Sequence, residues 1–179
     1  QKTAYEMCGR DWGSDVCSSD LSSSSEDIDK ALARLNYLNE SESGYETAEV
    51  KKELQQCMQN YFGVFRRGEY MKKGLEQLKE IRNKVDNLHL RDKSNAFNTS
   101  RVEAIELQNL FEVAEATAVA AYTRDESRGA HARDDFPDRD DDNWLCHSLY
   151  DPVSKSVTKR EVNFNPSQVE AFPPIVRTY

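Results

Sequence analysis

The sequence predicts a mainly α protein: a small antiparallel helical bundle followed by an irregular charged loop, a short β-hairpin and an extended C-terminal tail. Three observations carry this. Apolar residues recur at helical spacing in successive segments separated by turn-forming breaks. A later stretch, 124–142, is dense in charge and has no periodicity. Beyond it, alternating residues flank a turn.

The first helix begins after Ser22. Ser23 with Glu26, and Ser24 with Asp27, have capping-box spacing, in which a serine hydroxyl takes a free backbone N–H. Ile28, Ala31, Leu32, Leu35 and Leu38 then form one stripe, and "NESESG" closes it. A second helix from about Thr47 places Val50, Leu54, Cys57, Met58 and Tyr61 on one face, with Cys57 and Met58 as core filling. "FRRGEY" breaks it. The third helix, about Glu69 to Leu88, aligns Met71, Leu75, Leu78, Ile81, Val85 and Leu88. Its opposite face, with Lys72, Lys73, Glu76, Lys79, Glu80 and Lys84, reads as solvated. His89 is a surface or helix-end histidine.

After "RDKSNAFNTS", Ser100 with Glu103 repeats the capping-box spacing, and a fourth helix runs to about Tyr122. It is apolar around most of its circumference, so it is expected to be central, its alanines allowing close helix approach. Then "WLCHSLY" alternates, Asp151 and Pro152 mark a turn, and "SVTKREVNF" returns as a strand. "FPPIVRTY" is extended by its prolines. The expected domains are 22–123, the bundle, and 124–179, the charged loop and hairpin.

Residues 1–21 stand apart. "DWGSDVCSSDL" has neither period, and it resembles the translation of a common short-read sequencing adaptor, departing from it only at Gly13. The expectation is a non-native segment, excluded from the fold together with Cys8, Cys17 and Trp12. The chain starts at Gln1 with no initiator Met and no signal-peptide pattern, which suggests a truncated reading frame.

Composition excludes several classes. The 179 residues are 37% hydrophobic and 31% charged, enough for a folded core with exposed ends. A formal net charge of −8, with no cluster of Lys/Arg interleaved with aromatics, argues against nucleic acid as a partner. The longest apolar run, Val113 to Tyr122, is interrupted by Glu115, so nothing spans a bilayer. The four cysteines have no CxxC pair, which fits free thiols in a reducing compartment.

Chemistry has one place to reside, "DESRGAHARDDFPDRDDDNW". Asp138, Asp140 and Asp142 have the DxDxD start of a calcium loop, but Asn143 and Leu149 stand where an EF-hand needs Gly and Glu. His131, Cys146 and His147 lack the paired spacing of a zinc site. No GxSxG elbow supports a serine nucleophile. An anion-binding or proton-handling cluster is one remaining reading. The other, which the composition favours, is an Arg/Asp network that orders the loop through guanidinium–carboxylate forks.

"ESRGAHARDDFPDRDDDNWLCHSLY" and "FPPIVRTY" closely resemble the end of the flavoprotein subunit in the succinate dehydrogenase and fumarate reductase family. "LQQCMQNYFGVFR", "KGLEQLKEIR" and "FNTSRVEAIELQNL" are similar to the preceding helical domain of the succinate dehydrogenase form, in the same order. The resemblance implies part of an enzyme that oxidises succinate to fumarate on covalently bound FAD and passes electrons through an iron–sulfur subunit to quinone. It further implies upstream FAD and capping domains as partners, with membrane anchor subunits reached indirectly, at the cytoplasmic face of the bacterial inner membrane. No GxGxxG occurs in this chain, so no catalytic, FAD-binding or metal residue is assigned to it. Arg128, His131, Arg133, Asp134 and Arg139 are expected to hold the C-terminal segment against the flavin domain, on which the loop and tail are expected to depend for order. The competing expectation is a free-standing helical interaction module without catalysis.

Overall fold

The structure, a computed structural model, describes residues 24–94, 96–172 and 175. The adaptor-like segment, the Ser23–Glu26 spacing and most of the terminal "FPPIVRTY" lie outside them. The chain divides into two compact units, Gln1–Glu40 and Ser41–Tyr179.

The described part of the first unit is helix α1, Ser25–Glu40. Ser24 begins it as the sequence predicts. Its hydroxyl oxygen accepts from the Asp27 amide at 3.2 Å and its hydroxyl donates to the Asp27 carboxylate at 2.7 Å. Ile28, Leu32 and Leu35 of the predicted stripe remain exposed.

The second unit contains the mutually packed helices α2 (Thr47–Tyr61), α3 (Gly68–Val85) and α4 (Thr99–Thr123). Two short parallel pairs fix their directions. Strand β1 (Tyr45–Glu46), just before α2, pairs with β3 (Leu88–His89), just after α3. Strand β2 (Phe65–Arg66), just before α3, pairs with β4 (Ala132–Arg133), beyond the end of α4. Each pairing brings the start of one helix to the end of another, so α3 runs antiparallel to both neighbours. These pairs escape a reading by period because two residues carry no periodicity. They also shorten the third helix: Leu88 is a buried strand residue, and His89 Nδ1 lies 2.9 Å from the Ser41 carbonyl oxygen.

The core is made by Val50, Leu54 and Cys57 of α2, Met71, Leu78, Ile81 and Val85 of α3, and Ala104, Leu107, Phe111, Ala114 and Ala118 of α4, with Phe62 between helices. Full burial of each large side chain contributes about 1.5–3 kcal/mol. Around this core, Lys84 pairs with Glu53 at 2.6 Å across α2 and α3, and Arg82 pairs with Glu112 across α3 and α4.

Two expectations for α4 are corrected. Its cap is Asn98, whose Oδ1 accepts from the Arg101 amide at 2.9 Å, rather than Ser100 with Glu103. The same side chain donates to the carbonyls of Asp92 and Ser94, fastening the preceding loop. Nor is the helix buried all round. Val102, Leu110 and Val113 are exposed, because α2 and α3 cover only one side.

The hairpin forms as expected, pairing β5 (Cys146–Asp151) with β6 (Ser156–Glu161). Its turn is held by the Asp151 carboxylate, which accepts from the amides of Val153 and Ser154. The hairpin docks on α4 through Glu115: Tyr150 donates its hydroxyl at 3.2 Å and Lys155 its ammonium at 3.0 Å. The hairpin therefore belongs to the same unit as the helices.

Gly74 marks a close approach between α3 and the end of α2. A Cβ there would meet Phe62 Cε2 at 2.5 Å and Tyr61 Cβ at 2.6 Å, too close for either to remain. Gly74→Val is expected to lower unfolding stability by about 1–3 kcal/mol through overpacking, despite removing a poor helix former. Urea denaturation checks this, and an unchanged midpoint would contradict the packing.

Candidate functional site

The charged loop leaves α4 at Thr123 and returns through a short helix, α5 (Asp141–Trp144), into β5. Its centre is Glu126, fully buried at 0% exposure. Arg124 Nε donates to Glu126 Oε1 at 2.8 Å, Arg128 grips both oxygens at 2.8 and 3.0 Å, and the Asp140 amide donates to Oε2 at 2.9 Å. Burial pushes this carboxyl up, but bonds from Arg128, the Asp140 amide and Arg124 outweigh it and hold it below the ordinary glutamate value. The group is ionised and saturated.

Each arginine then ties a second element. Arg124 donates to the carbonyls of Trp144 and Cys146 and to the Ser148 hydroxyl, and its guanidinium lies 5.2 Å from the centre of the Trp144 ring. Trp144, predicted as strand, is instead the end of α5, buried under this cation. Arg128 reaches Asp141 at 2.6 Å. Arg139 also holds Asp141, at 2.8 Å, and donates to the Ile175 carbonyl at 2.9 Å, tethering the tail.

Arg133 forms a second centre. Only 3% exposed, it donates to the Arg124 carbonyl at 3.0 Å and the Tyr122 carbonyl at 3.3 Å, at the C-terminal end of α4 where the helix dipole favours a cation. It also binds Asp135 through two parallel bonds of 2.7 and 2.8 Å. Asp135 in turn accepts from the Gly68 amide at 2.8 Å, capping α3, whose own N-cap residue Arg67 provides no side-chain cap. The Arg133 pairing holds the Asp135 carboxyl well below the usual aspartate value.

His131 lies between these centres. Its Nδ1 is 2.8 Å from Arg66 Nη1 and its Nε2 is 3.1 Å from the Arg124 carbonyl. Beside it, the Asp134 amide donates to the Arg66 carbonyl at 2.8 Å, while the Asp134 carboxylate pairs with Arg67 at a solvated edge.

The five residues singled out from the sequence thus divide. Arg128, His131 and Arg133 are drawn into one network, Asp134 sits at its rim, and Arg139 joins it to the tail. Asp135, one of the loop's charged residues, completes it together with Arg124, Glu126 and Arg66, which the sequence reading does not single out. A usable signal was present in "RDESR", where one glutamate stands two residues from an arginine on each side. Arg66 carried none, being 65 residues from the histidine it touches. Within this chain the loop's charges have partners of their own, Arg124 and Arg128 on Glu126 and Arg133 on Asp135.

A groove of about 420 Å³ lies between the start of α3 and the end of α4, lined by Gly68, Glu69, Lys72, Tyr122, Thr123, Asp125 and Arg133. The Arg133 guanidinium that borders it is already bonded to Asp135, Asp125 and helix carbonyls.

This arrangement has relatives. Residues 51–179 match the family described as the fumarate reductase flavoprotein C-terminus. The chain belongs to this family. The succinate dehydrogenase flavoprotein subunit of Coxiella burnetii is 43% identical over 149 residues, covering 83% of this chain and 25% of that protein. Its counterpart in Rickettsia bellii is 36% identical over 168 residues, covering 87% of this chain and 27% of the relative. A solved structure of E. coli quinol fumarate reductase superposes with a TM-score of 0.69 at 27% identity, over 87% of this chain and 28% of that one. The chain therefore spans about a quarter of the length of the flavoproteins it matches. Among the described residues, no helix is long and apolar enough to cross a membrane.

Glu126→Ala would leave Arg124 and Arg128 without their shared anion. It is expected to cost about 3–5 kcal/mol, as for one partner removed from a buried pair. Arg67→Ala, at the exposed Asp134 pair, is expected to cost less than about 1 kcal/mol. Chemical denaturation of both variants checks the ranking, and equal losses would contradict it.

Proposed function

We propose that this chain is the C-terminal scaffold of the flavoprotein subunit of a succinate dehydrogenase. In the intact subunit the reaction is the oxidation of succinate to fumarate on FAD, with electrons leaving through an iron–sulfur subunit toward quinone. The chain works at the cytoplasmic face of the bacterial inner membrane, held there through partner subunits. By itself it is inactive.

One observation carries this reading: the conspicuous cations of the loop are already engaged internally. Arg124 and Arg128 close on Glu126, Arg133 on Asp135 and helix carbonyls, and His131 on Arg66 and the Arg124 carbonyl. A catalytic or anion-binding cluster needs donors aimed at a ligand, and here they are aimed at the chain.

The described residues do not fit FAD. The groove beside α3 sets Lys72 and Arg133 against Glu69 and Asp125, with Arg133 paired to Asp125, so it offers an anionic diphosphate no net positive charge, and no GxGxxG dinucleotide loop exists in the sequence. The same balance, with Arg133 already engaged by Asp125 and Asp135, disfavours a dicarboxylate substrate. Flavin and succinate are accordingly assigned to upstream domains, against which Arg128, His131, Arg133, Asp134 and Arg139 hold the loop and the C-terminal segment.

The chain, supplied with FAD, succinate and an artificial electron acceptor, is expected to show no turnover above a blank. Measurable turnover would overturn the scaffold reading. In the full-length subunit, Arg128→Glu is expected to reduce both covalent flavin content and assembly with the iron–sulfur subunit. Normal assembly and activity would remove the loop from the proposed role.

A further inference from the structure

The chemistry of its two contacts fixes the protonation of His131. A guanidinium only donates, so the Nδ1 facing Arg66 must accept; a carbonyl only accepts, so the Nε2 facing Arg124 must carry the hydrogen. The geometry requires the neutral Nε2–H imidazole. A second proton on Nδ1 has no place there, because it would point at a cation.

The surroundings reinforce this from every side. Arg66 approaches from β2, Arg124 from the end of α4 and Arg133 from β4, and all three charges oppose an imidazolium. The neighbouring carboxylates give no relief. Asp125 and Asp135 are paired with Arg133, Glu126 with Arg124 and Arg128, and Asp134 with Arg67, and none is bonded to the ring. His131 also sits at the seam it joins, since its backbone bridges Arg128 and the next residues form β4 on β2.

We propose that His131 is an acid-operated strut: protonation of its ring expels Arg66, opens the β2–β4 pairing and frees the charged loop from the start of α3. In the opened form the imidazolium is hydrated and the Arg66 guanidinium turns to solvent. The proton comes from water, and no other bond changes.

The sign follows from linkage. Burial, then the charges of Arg66, Arg133 and Arg124, push the ring below its ordinary value of 6.5, against the pull of the Arg124 carbonyl. The opened form therefore binds the proton more tightly. The strut holds fully above pH 6.5 and weakens as pH falls toward the lowered value, the opening equilibrium rising up to about tenfold per pH unit in that window.

Nitrogen-15 NMR of the chain across pH 5–8 tests this, read on the His131 ring and on exchange of the Asp134 amide, corrected for intrinsic exchange chemistry. The expected result is an Nε2–H tautomer titrating below 6.5, with Asp134 opening more frequent as pH falls. In His131→Gln, which retains an acceptor and a donor, that dependence should vanish. In Arg66→Gln the ring should titrate closer to 6.5 and the dependence should shrink. An Nδ1–H tautomer, a ring titrating at or above 6.5, or Asp134 opening independent of pH would each overturn the proposal.

Discussion

The path of the charged loop from α4 into the hairpin turns on one buried anion. Glu126 has no access to water, and a carboxylate so placed is tolerable only if its lone pairs are fully taken. Two arginines and a backbone amide do this. Each arginine is thereby fixed in position and free to use its remaining N–H groups elsewhere. Arg124 spends them on the carbonyls that lead into the hairpin, and Arg128 on the helix that precedes it. A loop without hydrophobic periodicity thus acquires a defined path.

The loop in turn completes the helical bundle. The end of α4 has unsatisfied carbonyls and the start of α3 unsatisfied amides, and the local sequence supplies neither with a strong cap. Arg133 and Asp135, bonded to each other, serve the two ends together. Bundle and loop are therefore parts of one unit, in which α4 is stabilised by a residue that follows it and α3 by one 67 positions away.

What the sequence revealed follows from the range of the forces involved. Helices α1 to α4 were legible because a stripe of apolar residues is a local signal, and the hairpin because alternation and the Asp151–Pro152 turn are local as well. The outer face of α4 was misread, since Val102 and Val113 look like core residues until the positions of α2 and α3 are known. Asn98 was missed as a cap because Ser100 and Glu103 offered the same spacing two residues later. Within the loop, the residue types pointed to an Arg/carboxylate network. Its wiring was hidden because Arg66 and Gly68 enter from a distant break in the chain. The family resemblance was read from the same loop, whose charged residues have such specific partners.

The account's central claim is that Glu126 and its arginines act as a coupled unit, more than as neighbours of opposite charge. A double-mutant cycle with Arg124→Gln and Glu126→Gln, read by chemical denaturation of the chain at neutral pH, tests it most directly. The expected coupling is about 1–3 kcal/mol, the range for residues in one buried network. Additive losses, with a coupling no greater than about 0.3 kcal/mol, would mean that the loop owes its order to something other than this buried carboxylate.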